Sequence, residues 1–284
     1  MADDHMVLAL SNRTGEEKIT AAFRRARDEG RAALITYLPL GFPTPEASLD
    51  LVQVLAEGGA DIIELGIPFS DPLADGPTIQ RATHAALQQG VTLLRCLEMA
   101  AQVRTRGVEV PLLFMGYLNP ILAYSLEQFV QDCREVGVDG LIVADLPPEE
   151  AGELEEACRA EGRALVYLLA PTSTPARVAL IAGRSTGFVY LVSVTGVTGA
   201  RDRLPDGLAE LVRCVRAATD KPVAVGFGIA DGAQVRAVGQ LADGVVVGSA
   251  IVERAGWGDG AREAVRDFVR SLCSALEEEG DGRE

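Results

Sequence analysis

Two carboxylates, Glu64 and Asp75, and three glycine clusters are the residues of this 284-residue chain whose types and spacing suit chemistry. Glu64 interrupts a run of Ile, Leu and Gly that reads as a β-strand, where glutamate is disfavoured. Pointing inward, such a carboxyl loses water, which raises its pKa and suits proton donation and acceptance near neutrality. Asp75 lies in the Pro- and Gly-stiffened segment Pro68-Phe69-Ser70-Asp71-Pro72-Leu73-Ala74-Asp75-Gly76-Pro77. It is expected to be more exposed and ionised, fit to stabilise a developing cation. A purely structural reading of the same pair is a buried Glu matched by arginine or backbone donors, and a turn-forming Asp before Gly76.

The glycine clusters are Gly196-Val197-Thr198-Gly199, Gly226-Phe227-Gly228 and Gly248-Ser249. Each follows an apolar run, and backbone N–H groups at such turns approach an anion closely. Together they point to a phosphate site, although singly each is also a helix cap or tight turn. Asp231 precedes Gly232 where a dinucleotide fingerprint needs its spacing continued, so that motif is not supported. Arg201 and Arg203 are candidates to assist in the sixth loop. The two lysines, Lys18 and Lys221, fall outside the strand ends that carry the polar residues, which disfavours a Schiff base. His5 and His84 are too few for a His-rich zinc site or a serine triad, and no metal is expected.

The elements that must position these groups alternate strictly. Strand-like runs cover 33–38, 61–65, 111–115, 140–144, 164–169, 187–192, 222–226 and 244–247, nearly all Val, Ile, Leu and Ala. Continuous apolar runs suit parallel strands buried on both faces. Helical spacing fills the intervals, and breaks such as Gly59-Ala60-Asp61 and Gly137-Val138-Asp139 end helices and open strands. The expected fold is an α/β (β/α)₈ TIM barrel, with an extra N-terminal helix over 16–29 and an inserted segment between strands two and three. Residues 1–15 read as a loose N-terminal extension, 16–279 as a single barrel domain, and 280–284 as an acidic tail. In such barrels the active site forms at the C-terminal ends of the strands, where the polar residues named above cluster.

Composition narrows the partners. Forty-one acidic against 26 basic residues give a net charge of −15, which opposes nucleic acid and anionic membrane surfaces. Five widely spaced cysteines suit reduced thiols, and the N-terminus lacks signal-peptide features, so a cytoplasmic location is expected.

At Glu64-Leu65-Gly66-Ile67-Pro68-Phe69-Ser70-Asp71-Pro72-Leu73-Ala74-Asp75-Gly76-Pro77-Thr78-Ile79-Gln80 the chain resembles the tryptophan synthase alpha chain family. Tyr117-x-Asn119-Pro120, Ala144-Asp145-Leu146-Pro147, Gly196-Val197-Thr198-Gly199, Gly226-Phe227-Gly228-Ile229 and Gly248-Ser249-Ala250-Ile251-Val252 extend the likeness in order, over about residues 32–252. The resemblance implies retro-aldol cleavage of indole-3-glycerol phosphate to indole and glyceraldehyde 3-phosphate, with no cofactor in this chain. It implies proton transfer by Glu64 and binding of the indole N–H by Asp75. It further implies substrate contacts from Tyr37, Tyr117 and Tyr190, with Thr198 in a loop that closes over Asp75. Phosphate contacts fall to Gly199, Phe227, Gly228, Gly248 and Ser249. The expected partner is a pyridoxal-phosphate beta chain in an α₂β₂ tetramer. Tyr37 stands where some relatives carry Phe, and Val194 where some carry Arg. The alternatives are a stand-alone indole-releasing lyase, another phosphosugar barrel enzyme using a catalytic lysine or a second acid, and a non-catalytic activator of a partner chain.

Overall fold

Short Val- and Ile-rich runs buried on both faces form a parallel barrel in the computed structural model, which describes residues 13–192, 207–226 and 228–277. The strands are β1 (Ala33–Pro39), β2 (Ile62–Gly66), β3 (Leu112–Gly116), β4 (Gly140–Val143), β5, β6 (Val189–Val192), β7 (Val223–Gly226) and β8 (Gly244–Val247). β5 runs as Ala164–Val166 and Leu168–Leu169, interrupted at Tyr167. Its first part pairs with β4 and its second with β6, while β1 pairs with both β2 and β8. The ring therefore closes through one broken strand, an interruption the expected run over 164–169 does not contain.

Helices wrap the outside. α1 (Gly15–Asp28) precedes the barrel, and α2 (Pro45–Glu57) joins β1 to β2. The expected insertion between β2 and β3 is a long loop with two helices, α3 (Pro77–Gln88) and α4 (Leu93–Thr105). The circuit continues through α5 (Leu118–Tyr124), α6 (Leu126–Glu135), α7 (Gly152–Ala160), α8 (Pro175–Arg184), α9 (Leu208–Ala218), α10 (Gly232–Gly239), α11 (Ser249–Ala255) and α12 (Ala261–Glu277).

α1 seals the N-terminal end of the barrel. A capping box between Thr14 and Glu17 starts it, so the last residues of the expected extension already belong to this helix and its cap. Its apolar face, Ile19, Ala22, Phe23 and Ala26, joins the inward residues Ile35, Ile62, Leu113, Ile142, Val166, Phe188 and Val246 in one interior cluster. Phe23 reaches Phe188 at 5.4 Å between ring centres. Gly244 makes room for it, since a Cβ there would lie 2.8 Å from the Phe23 ring.

A fourfold clamp ties the strands together at this same end. Asp61, Asp139, Thr186 and Asp243 each precede an even-numbered strand. Their backbone N–H groups donate to the carbonyls of Leu34, Leu112, Leu165 and Val223, at 2.8, 2.7, 2.9 and 2.8 Å. Their side-chain oxygens accept the N–H groups of those same four residues, at 2.8, 3.0, 2.6 and 3.0 Å. The buried acids are also neutralised. Asp61 meets Arg31 at 2.6 Å, and Asp139 meets Arg104 at 2.6 Å and Lys18 at 2.9 Å.

Breaking a clamp that carries charge leaves partly buried cations unpaired as well as the backbone N–H, whose loss alone costs about 1–3 kcal/mol, so the total is larger and at most about 3–5 kcal/mol. Urea unfolding is therefore expected to show a larger loss for Asp139→Ala than for Thr186→Val. Equal losses would mean that the ion pairs around Asp139 add nothing to its backbone role.

Candidate active site

Strand alternation decides which side chains enter the barrel. Tyr37, Glu64 and Leu113 are neighbours in register across β1, β2 and β3, and Met115 lies one inward step above Leu113. These residues lead to a cavity of about 360 Å³ at the C-terminal mouth, opposite the end sealed by α1. Glu64, Asp75, Tyr37, Tyr190, Gly228, Gly248 and Ser249 all line it. The remaining lining is apolar, including Ile79, Met115, Ala144, Leu168, Val192 and Val246.

Glu64 is fully buried, and among the described residues neither carboxyl oxygen has a hydrogen-bond partner. Burial without a donor disfavours the anion, and the Glu64 pKa is pushed up to about 8. Among the described residues no arginine or backbone donor matches it, as the structural alternative would require.

Asp75 is held differently. Its loop is braced by the Asp75 N–H to the Pro72 carbonyl at 3.0 Å, and by Gln80 Nε2 donating to the Asp75 carbonyl at 2.9 Å. The Tyr117 hydroxyl donates to Asp75 Oδ2 at 3.1 Å and accepts the Ala74 N–H at 3.1 Å. Asp75 is half-buried, so it is less exposed than its turn-like sequence suggests. Desolvation raises its pKa to about 6, against the opposing pull of the Tyr117 hydrogen bond. The two acids thus differ in the sense required of an acid–base pair, one mostly protonated and one mostly ionised at neutral pH.

Two tyrosines lie across the mouth because glycine leaves space for them. A Cβ on Gly66 would stand 2.3 Å from the Tyr37 hydroxyl, and one on Gly226 would stand 2.7 Å from the Tyr190 hydroxyl. Burial raises both phenol pKa values well above the ordinary range, so both remain neutral donors. Gly228 adopts φ +78°, and, its own and adjacent residues aside, no atom of the described residues lies within 4 Å of where its side chain would be. Gly248 caps α11, and Ser249 begins it. Thr198, Gly199, Phe227, Arg201 and Arg203 lie outside the described residues. Both lysines sit at the opposite end. Lys18 is bound to Asp139, and Lys221 donates to the Ala182 carbonyl at 3.0 Å.

Sequence reasoning assigned Tyr117 to the substrate, and the structure joins it to Asp75. The apolar lining was not anticipated, although counting alternate residues from Glu64 through the paired strands reaches Met115. Among the described residues no His, Cys, Asp and Glu cluster could hold a metal.

Fold and site together define a (β/α)₈ barrel with two desolvated carboxyls facing one apolar pocket at the strand ends. The family model for the tryptophan synthase alpha chain matches residues 23–279, and the chain belongs to that family. It is 51% identical over 237 residues to the tryptophan synthase alpha chain of Chloroflexus aggregans, covering 84% of this chain and 89% of that one. It is 48% identical over 258 residues to that of a Roseiflexus species, covering 90% and 98%. A solved structure of Mycobacterium tuberculosis tryptophan synthase superposes with a TM-score of 0.85 at 40% identity, covering 91% of this chain and 98% of its own.

The Glu64 pKa carries a stability consequence. Between its unfolded value of 4.5 and about 8, the folded chain holds a proton that the unfolded chain has released. Folding stability therefore declines as pH rises through that window. Glu64→Gln cannot ionise, so its stability relative to the parent is expected to improve by ~4 kcal/mol between pH 5 and pH 9. Denaturant titrations at both pH values check this, and a pH-independent difference would mean that Glu64 titrates normally.

Proposed function

We propose that Glu64 and Asp75 carry the alpha half-reaction of tryptophan synthase, in which this chain acts as a lyase on indole-3-glycerol phosphate. The observation that supports it most is the unpartnered Glu64 carboxyl, with its pKa near 8, in the same cavity as an Asp75 with its pKa near 6.

The reaction needs a proton on the indole ring carbon that bears the glycerol chain. Neutral Glu64 donates it, and the ring becomes a cationic indolenine. Ionised Asp75 accepts the ring N–H and stabilises that charge, most strongly where water is excluded. The carbon–carbon bond then breaks with its electrons returning to the ring, which releases indole. The adjacent glycerol hydroxyl becomes the aldehyde of glyceraldehyde 3-phosphate and gives its proton to the Glu64 carboxylate. Glu64 thus ends protonated, ready for the next turnover, and no external acid is consumed. The Tyr117 hydroxyl keeps Asp75 oriented and partly offsets the desolvation that would otherwise neutralise it.

In this reading the phosphate rests on Gly228, Gly248 and Ser249, with Gly199 and Phe227 completing the set. Support comes from the position of Gly228, Gly248 and Ser249 in the cavity lining and from the start of α11 at Ser249. Tyr37 and Tyr190 flank the aromatic part, and Thr198 belongs to the closing loop.

Membership of the family implies a beta chain partner. We assign the finer arrangement as an α₂β₂ tetramer, with pyridoxal phosphate held by the beta chain and none required here. Leu73, 92% exposed in the loop that carries Asp75, is an apolar side chain suited to burial by that partner. Its contact would couple the partner to the catalytic loop. The thiols are all free, and no described helix is long and apolar enough to cross a membrane, in keeping with a cytoplasmic enzyme.

Assayed with a beta chain, kcat/KM is expected to rise with pH through about 6 as Asp75 ionises, and to fall through about 8 as Glu64 loses its proton. Glu64→Gln is expected to lower turnover at least ~100-fold, and Asp75→Asn to lower it and abolish the acidic limb. Retained cleavage by Glu64→Gln would remove the acid–base role.

A further inference from the structure

The two ends of the Tyr37 side chain are confined by backbone. At its base, a Cβ on Gly248 would stand 3.3 Å from the Tyr37 Cβ and 3.4 Å from a ring carbon. At its tip, the place a Gly66 side chain would occupy is filled by the Tyr37 hydroxyl, 2.3 Å away, with Pro39 Cα at 3.0 Å. The ring therefore spans from the end of β8 to the end of β2, across its own strand, and has no slack to slide along that line. The residue is 6% exposed and lines the cavity. Among the described residues none hydrogen-bonds to its hydroxyl, unlike the hydroxyl of Tyr117, which is engaged by Ala74 and Asp75. Among the described residues the oxygen therefore completes no polar network that would account for it.

What the oxygen does is take up volume at a fixed place. Packed interiors tolerate little unfilled space, and backbone held by parallel pairing on both sides cannot collapse to replace one lost atom. We infer that the Tyr37 hydroxyl is a steric stop that sets the size of ring the aromatic compartment accepts, admitting unsubstituted indole and rejecting rings enlarged at that edge. This rests on the reading that the compartment holds the indole portion of the substrate. It makes Tyr37 a specificity-determining residue, distinct from Glu64 and Asp75, which act on the reacting atoms.

Removing the oxygen opens space for about one heavy atom beside Gly66. One methyl group commonly changes discrimination in an apolar pocket by about 10–200-fold. The test compares the parent protein with Tyr37→Phe, each with its beta chain, in calorimetric binding of indole and of the indoles methylated on the six-membered ring. Tyr37→Phe is expected to shift the ratio of dissociation constants by about tenfold or more toward at least one methylindole. The kcat/KM ratio for the correspondingly methylated glycerol phosphate should follow. Binding ratios that stay within about twofold for every isomer would overturn the inference. So would a fall in turnover of the unsubstituted substrate with unchanged ratios, since that marks a hydrogen-bonding role. A failure of the parent to cleave indole-3-glycerol phosphate would count against the Glu64 and Asp75 assignment, and the binding ratios would still decide the role of Tyr37.

Discussion

A carboxyl buried without a partner is the constraint on which the rest of this structure depends. Glu64 occupies an inward position of β2, where its neighbours in register are Tyr37 and Leu113 and neither oxygen receives a hydrogen bond from the described residues. Holding such a group as an anion is costly, so the fold keeps it protonated at neutral pH. The protein tolerates this because the neutral acid is only a moderately polar group in an apolar wall. The proposed reaction needs that state, since a glutamate matched by arginine would be ionised at neutral pH and would have no proton to give a ring carbon.

The two ends of the barrel treat the same residue types in opposite ways. At the sealed end, Asp61, Asp139 and Asp243 are met by arginine or lysine and by backbone N–H groups, and they act as clamps. At the mouth, Glu64 has no donor among the described residues, and Asp75 has the Tyr117 hydroxyl in place of a cation. The ion pairs and clamps lie where α1 closes the cylinder, and the desolvated carboxyls lie at the other end. The glycines at the strand ends serve the same division. Gly66, Gly226 and Gly248 forgo side chains so that aromatic rings can lie against the backbone and leave an empty pocket between them.

Much of this architecture is legible in the sequence. The eight apolar runs match the strands to within a residue or two, because strands buried on both faces leave uninterrupted Val, Ile and Leu. The break at Tyr167 is not visible, because it goes with a distant contact: the Tyr167 N–H donates to Ser185 Oγ at 3.1 Å, outside the strand ladder. The Asp residues after Gly-Ala and Gly-Val breaks are readable as helix ends, yet their role as clamps depends on backbone groups some 27 residues away. Asp75 reads as exposed because its loop is rich in Pro, Gly and Asp. Its partial burial comes from Tyr117, 42 positions further along the chain. Local composition signals which element a residue belongs to, and distant packing sets the electrostatic environment of its side chain.

The most direct test is a titration of the Glu64 carboxyl itself in the intact protein, by carbon-13 NMR of labelled glutamate, with Glu64→Gln to identify the signal. A midpoint near 8 is expected, well above the 4.5 of an unperturbed glutamate. A midpoint at or below about 5 would mean that the carboxyl finds solvent or a donor, and would contradict a neutral acid at the barrel mouth.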